Sequence, residues 1–148
     1  MRVNISSSCL KKIKNHIQYG NKKESGGVLL GKFIEDTYFI NDITEPQLED
    51  KATRNTFFRS SAHNILVEKL WKESSGEITY IGLWHTHPEE CPMYSNVDEK
   101  DWMNALKNSI YESEGLIFLI LGTKSLNIWY GEGDKLVFVK DIIYEKFE

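Results

Sequence analysis

Apolar positions along this chain switch between two periods. Cys9, Leu10, Ile13 and Ile17 recur at helical spacing after Ser6-Ser7-Ser8, whose hydroxyls can cap a helix, and Gly20-Asn21 supplies a stop. Two apolar runs follow, Gly26 to Ile34 and Thr37 to Ile43, parted by Glu35-Asp36; they predict buried strands joined by a tight polar turn. Between residues 44 and 58 the period lapses, and Pro46 with several charges predicts a long irregular excursion. A second helix is predicted from a cap at Ser60 or Ser61 to a stop at Ser75-Gly76, with Ala62, Ile65, Leu66, Lys69 and Leu70 along one side. Residues 78–86 predict the next strand and residues 88–94, with two prolines, a loop. A third helix opens at Ser95 and reaches about Ile110. Strands over 116–121, 126–130 and 135–144 follow, separated by Gly122 and by Gly131-Glu132-Gly133-Asp134. This order predicts an α/β (α+β) fold, a single mixed β-sheet flanked by about three helices.

Bulk properties narrow the class. A length of 148 residues with 41% hydrophobic content suits one domain over 1–148 with its own core. The net charge of −4, with Lys and Arg scattered, argues against nucleic acid or an anionic membrane as partner. The longest strongly apolar run, residues 116–121, is too short to span a bilayer, and no apolar signal core precedes Lys11 and Lys12. Two cysteines without a CxxC suggest neither a disulfide framework nor a Cys-rich zinc module. The expected compartment is the cytoplasm.

The chemistry concentrates in Trp84-His85-Thr86-His87-Pro88, followed by Ser95 and Asp98. Residues two apart on a strand share a face, so Ile81, Leu83, His85 and His87 are expected on one side, passing from core to paired imidazoles. Pro88 cannot donate to a ladder and helps end the strand there. Asp98, in the first turn of the third helix, would complete a His-His-Asp set, which suits zinc, with iron or manganese left open. Ser95-Asn96-Val97-Asp98 also fits a capping box, and a cap residue is held rigidly enough to serve a reaction as well.

His85-Thr86-His87, seven residues, Ser95, two residues and Asp98 resembles the signature of the JAMM metalloproteases, the MPN or JAB domain family. Glu24-Ser25-Gly26-Gly27-Val28-Leu29-Leu30-Gly31 looks like that family's glutamate-bearing segment. The resemblance implies an MPN/JAB, cytidine-deaminase-like architecture and one zinc ion on His85, His87 and Asp98, with a bound water as fourth ligand. It further implies Glu24 as general acid–base and Ser95 as a donor to the developing oxyanion. By charge pattern alone, Glu24 reads as a solvated member of Lys22-Lys23-Glu24.

Family members of this kind hydrolyse peptide or isopeptide bonds after the C-terminal tail of a ubiquitin-like or otherwise conjugated protein. The excursion 44–59 is expected to offer an edge to such a tail, and the loop 89–94 to line its groove. The stretch Tyr80 to Glu89, with Asn55-Thr56-Phe57-Phe58-Arg59-Ser60 before it, looks most like bacterial stand-alone members, similar to the deconjugating peptidases of CBASS-type antiphage operons. That implies partners among ubiquitin-activating and ubiquitin-conjugating-like proteins and a nucleotidyltransferase. Processing of a sulfur-carrier protein, cleavage of a cell-wall peptide and a non-catalytic MPN scaffold stay open. A zinc nucleoside deaminase is disfavoured, because the PCxxC that such a site needs does not occur.

Several neighbours read as structural. Trp84 and Thr86 should face away from the histidines, Trp102 should pack behind the site, and Gly26 and Gly27 should permit close backbone approach. Cys91 lies in the loop between His87 and Ser95, where it could approach the metal or be a free thiol. His16 and His63 have no ligand partner at useful spacing.

Overall fold

The structure, a computed structural model, describes residues 1–144; the last four positions of the expected 1–148 unit lie outside the described residues. In chain order the elements are β1 (Arg2–Ile5), α1 (Ser7–Lys14), β2 (Gly26–Ile34), β3 (Thr37–Ile43), β4 (Lys51–Ala52), β5 (Phe57–Phe58), α2 (Ala62–Glu73), β6 (Thr79–Thr86), α3 (Asn96–Asn108), β7 (Leu116–Leu121), β8 (Ser125–Glu132) and β9 (Lys135–Ile143). Seven strands form one mixed sheet in the order β1-β3-β2-β6-β7-β8-β9, while β4 and β5 form a separate ribbon. The expected class is present. Among the described residues no helix is long and apolar enough to cross a membrane.

Strand β7 explains the layering. It is buried at every position. Ile117, Leu119 and Leu121 pack with Cys9 and Ile13 of α1, whereas Leu116, Phe118 and Ile120 pack with Trp102, Ala105 and Leu106 of α3. Each Leu, Ile or Phe among them contributes about 1.5–3 kcal/mol by leaving water. A strand covered on both faces needs no polar alternation, which is why its sequence is a continuous apolar run. Its parallel pairing with β6 requires a crossover, and α3 lies in that connection. The β2–β3 connection at Glu35 and Asp36, with φ of 47° and 66°, has the left-handed pair of a tight hairpin.

Four expectations are corrected. Strand β1 was not anticipated; it is only four residues long and pairs in parallel with β3 from Arg2↔Thr37 to Ile5↔Ile40. Helix α1 ends at Lys14, so Ile17 enters the core from the segment after it. In α2 the buried side is turned: Ile65 is 69% exposed, while His63 is buried and Val67 and Leu70 pack on the α3-side core. Polar anchoring of His63 sets that rotation, as described below.

The fourth correction bears on the site. Leu29 opposes Gly82 and Leu30 opposes Tyr80, leaving Ile81 as a bulge in the β2–β6 pairing. Ile81 therefore lies with Trp84 in the α1-side core, and Leu83 in the other. The expected shared face loses Ile81, but beyond the bulge the alternation is regular.

Candidate metal centre

Three elements converge at the C-terminal end of β6. Gly26 opposes His85 and Gly27 opposes Trp84, which sets Glu24 just before β2 beside the end of the histidine strand. The His87 amide donates to the Leu121 carbonyl at 3.0 Å, extending the β6–β7 alignment to the second histidine, just before Pro88. Helix α3 begins at a reciprocal cap: Ser95 Oγ accepts the Asp98 amide at 3.1 Å, and Asp98 Oδ2 accepts the Ser95 amide at 2.8 Å. The cap orients the Asp98 carboxylate, so the two readings of this motif are compatible.

Glu24, His85, His87 and Asp98 each present a ligand atom within 4.8 Å of one another. His85 Nε2 and His87 Nε2 stand 3.1 Å apart, and they lie 3.2 Å and 3.0 Å from the two oxygens of Asp98. Glu24 Oε2 is buried and has no hydrogen-bond partner among the described residues. Two ring nitrogens turned toward each other and toward one carboxylate, beside an orphaned carboxylate oxygen, fit a divalent cation with an attendant water. Cys91 stands outside this cluster, free and exposed. Ser95 joins it through Asp98, and its hydroxyl serves in that cap as an acceptor, leaving its hydrogen to donate elsewhere.

The titrating groups respond to this crowding. Burial pushes the Glu24 carboxyl up to about 8; His87 lowers it and Asp98 raises it further. Burial likewise lowers His85, against the pull of Asp98. Burial also disfavours the charged ring of His87, but hydrogen bonding to Asp98 and Glu89 outweighs it and raises the group. For Asp98 the two histidines overcome burial and hold the carboxyl well below its ordinary range.

The surroundings confirm the structural readings of the neighbours and add others. Trp84 turns away and donates its indole N–H to the Thr44 carbonyl at 3.0 Å. Trp102 packs behind His85, with ring centres 6.1 Å apart, and stacks on Phe118. A Cβ on Gly26 would meet Phe57 Cδ2 at 2.7 Å, and one on Gly27 would meet the Thr44 carbonyl at 2.1 Å. Close approach is what both glycines provide. Glu89 was missed by the sequence reading. Its carboxylate lies 2.8 Å from His87 Nδ1, which turns Nε2 toward the cluster. An acid in a loop just beyond a proline carries no period that could reveal this.

His63, without a ligand partner at useful spacing in the sequence, is a buried keystone of the fold. Thr44 Oγ1 accepts the Val28 amide, so its hydrogen goes to His63 Nδ1 at 2.7 Å, and His63 Nε2–H donates to Asp50 at 2.8 Å. Burial would raise the Asp50 carboxyl, but the Gln47 and Ser60 amides and His63 hold it below its ordinary 3.8. The unfolded chain then binds the proton first as pH falls, so this stabilisation is present above about pH 4 and is lost below it. Asp50→Ala should cost about 1–3 kcal/mol at neutral pH by leaving buried partners unpaired. Melting curves of the two proteins should converge as the pH is lowered through 4 toward about 2; a constant gap would remove Asp50 from this role.

The two segments expected to flank a substrate are anchored as well. Loop 88–94 is tied to the β7–β8 turn by Thr123 N–H donating to Glu89 O at 2.7 Å, and to β8 by Asn127 Nδ2 donating to Pro92 O at 2.8 Å. The excursion is more ordered than expected, since it folds into the β4–β5 ribbon through Lys51↔Phe58 and Ala52↔Phe57. A groove of about 960 Å³ between α2 and α3, lined by Trp71, Tyr80 and Asp101 among others, includes none of the four clustered residues.

Residues 6–130 match the profile described as prokaryotic homologs of the JAB domain. Three curated relatives each carry the name CD-NTase/cGAS isopeptidase. The one from Escherichia coli is 38% identical over 110 residues, 74% of this chain and 67% of that protein. The Pseudomonas aeruginosa relative is 32% identical over 128 residues, 85% and 80% of the two chains. The Vibrio cholerae relative is 33% identical over 113 residues, 76% and 69%. In fold, the chain resembles the solution structure of a protein from Desulfitobacterium hafniense, with a TM-score of 0.70 over 100% of this chain and 96% of that one at 16% identity. The profile spans Glu24, both histidines and Asp98, and on that match the chain belongs to the prokaryotic JAB-domain family.

Proposed function

We propose that this chain is a zinc-dependent isopeptidase that cleaves after the C-terminal tail of a ubiquitin-like or otherwise conjugated protein. The observation that carries the reading is the buried, unpartnered oxygen of Glu24 beside two imidazoles and a carboxylate. The names of the relatives support the isopeptidase class and suggest that the conjugated protein is a nucleotidyltransferase of the CD-NTase kind. Ubiquitin-activating and ubiquitin-conjugating-like proteins would then make the linkage that this chain removes.

His85, His87 and Asp98 would hold the zinc. When bound, it supplies Lewis-acid polarisation of a scissile carbonyl and makes water acidic near neutrality. Glu24 accepts a proton from the attacking water and passes it to the amine as the C–N bond breaks. Glu89 keeps the His87 ring in register. The Ser95 hydroxyl donates to the oxyanion as charge develops on the carbonyl oxygen. An extended tail reaches the site along the β4–β5 ribbon, whose short strands offer backbone groups for pairing.

Ser95→Ala should slow turnover by about a hundredfold or more through the lost donor. It should also lower stability by about 1 kcal/mol through the lost cap. Parallel rate and melting measurements separate the two. A variant that loses stability and keeps its rate would leave Ser95 as a cap alone. The whole reading is tested by incubating zinc-loaded protein with candidate C-terminal tails, including that of a CD-NTase, each fused to a reporter. Cleavage at the junction supports it. Full zinc occupancy without cleavage of any tail would overturn it.

A further inference from the structure

Glu24 comes from a segment with no regular pairing: residues 22–25 lie outside every helix and strand. A proton shuttle must nevertheless be placed closely, because small misplacements of reacting groups cost large factors in rate. Three backbone bonds hold the peptide around it. The Glu24 amide donates to the Thr53 carbonyl at 2.8 Å. The Ser25 amide donates to Thr86 Oγ1 at 2.9 Å, and the Ser25 carbonyl accepts the Thr86 amide at 2.9 Å.

Thr86 sits between the two histidines in sequence, and its side chain points to the other face of β6. There the hydroxyl, already accepting from Ser25, donates to Gln18 Oε1 at 2.9 Å. Gln18 then uses both amide hydrogens, on the Lys22 carbonyl at 3.0 Å and the Arg54 carbonyl at 2.6 Å. Gln18 is 1% exposed, Thr86 0% and Ser25 7%. Water is therefore a poor substitute for any of these partners. An apolar side chain at position 18 could fill the volume, but it could not join the turn before Glu24, the tip of the ribbon and the histidine strand.

We propose that Gln18 and Thr86 are positioning residues for Glu24. The chain of bonds from Arg54 through Gln18 and Thr86 to Ser25, closed by Thr53 on Glu24 itself, aims the carboxylate at the metal cluster. The same bonds tie it to the ribbon on which the substrate tail is read. This rests on Glu24 being the proton shuttle of the proposed function. Its consequence is that a tail seated on the ribbon bears on the peptide that carries the base.

The test compares zinc-loaded wild type, Thr86→Val, Thr86→Ser and Gln18→Met. It measures zinc content, amide hydrogen exchange of residues 22–27, and kcat and KM on a cleaved tail fusion. Thr86→Val keeps shape and removes the hydroxyl. Zinc content should hold, exchange at Ser25 should speed up at least tenfold, and kcat should fall about tenfold or more with KM unchanged. Thr86→Ser should restore both. If Thr86→Val does not fold, Gln18→Met reads the same quantities while leaving the Thr86 hydroxyl for Ser25. Wild-type exchange at Ser25 in Thr86→Val, wild-type exchange across residues 22–25 in Gln18→Met, or wild-type kcat with zinc bound in either folded variant overturns the proposal. If wild type cleaves no tail, the proposed function falls separately, and the exchange measurement still decides whether the bonds hold the Glu24 segment.

Discussion

Glu24→Gln is expected to keep zinc and to lower hydrolysis by about 10²–10⁴-fold, the range assigned to a single positioned proton-transfer group. Glutamine has nearly the shape of the native side chain and can still bond a water, but it cannot take its proton. The same substitution should have the opposite effect on stability once the metal is stripped. The unfolded carboxyl ionises near 4.5, whereas the buried one keeps its proton to about 8. As pH rises between those values the unfolded chain sheds a proton that the folded chain retains, so wild-type stability falls. By pH 8 the loss is on the order of a few kcal/mol, and the glutamine variant escapes it. Metal-free Glu24→Gln should therefore melt several degrees above metal-free wild type at pH 8 and close to it at pH 5. Zinc reverses the order by favouring the carboxylate. Equal melting at pH 8 would mean that the carboxylate is hydrated and not enclosed as the structure has it. Wild-type turnover of Glu24→Gln with zinc bound would assign the proton transfer to another group.

Asp98→Asn should empty the site. The amide oxygen of asparagine can still accept the Ser95 amide, so the start of α3 is retained while the anionic ligand is removed. Zinc content should drop from about one ion per chain to near zero, and hydrolysis should fall to background. Added zinc should raise the melting temperature of wild type, by about 2.7 kcal/mol of stability at a hundred times its dissociation constant, and should leave the variant unmoved. A variant that retained full zinc would show that Asp98 serves the helix cap and the histidines without binding the ion.

What was legible in the sequence is what repeats locally. The alternation of His85 and His87, the Ser95-to-Asp98 cap and the apolar run of β7 each follow from a period or a fixed offset, and each is where the pattern put it. What was not legible depends on partners distant in the chain. The charge pattern around Glu24 suggests solvent; the family resemblance points it to the site instead, but its enclosure comes from the carbonyl of Thr53, twenty-nine positions on, and the burial beside Thr86. The rotation of α2 comes from His63 meeting Thr44 and Asp50, which no helical period encodes. Strand β1 and the ribbon are too short to display a period, so their existence is a matter of pairing alone.

The bulge at Ile81 divides β6 into two stretches with different freedom to change in length. Before it, the strand can absorb a gained or lost residue by shifting where the irregularity falls, and the loop after α2 can take up the difference. From Gly82 onward no such allowance exists. Deleting one residue between Gly82 and Trp84 would turn both imidazoles into the α1-side core and present alternate positions to Asp98. Length variation among natural versions of this strand should therefore collect upstream of Ile81, and the stretch from Gly82 to Pro88 should keep a constant count even where its apolar residues interchange.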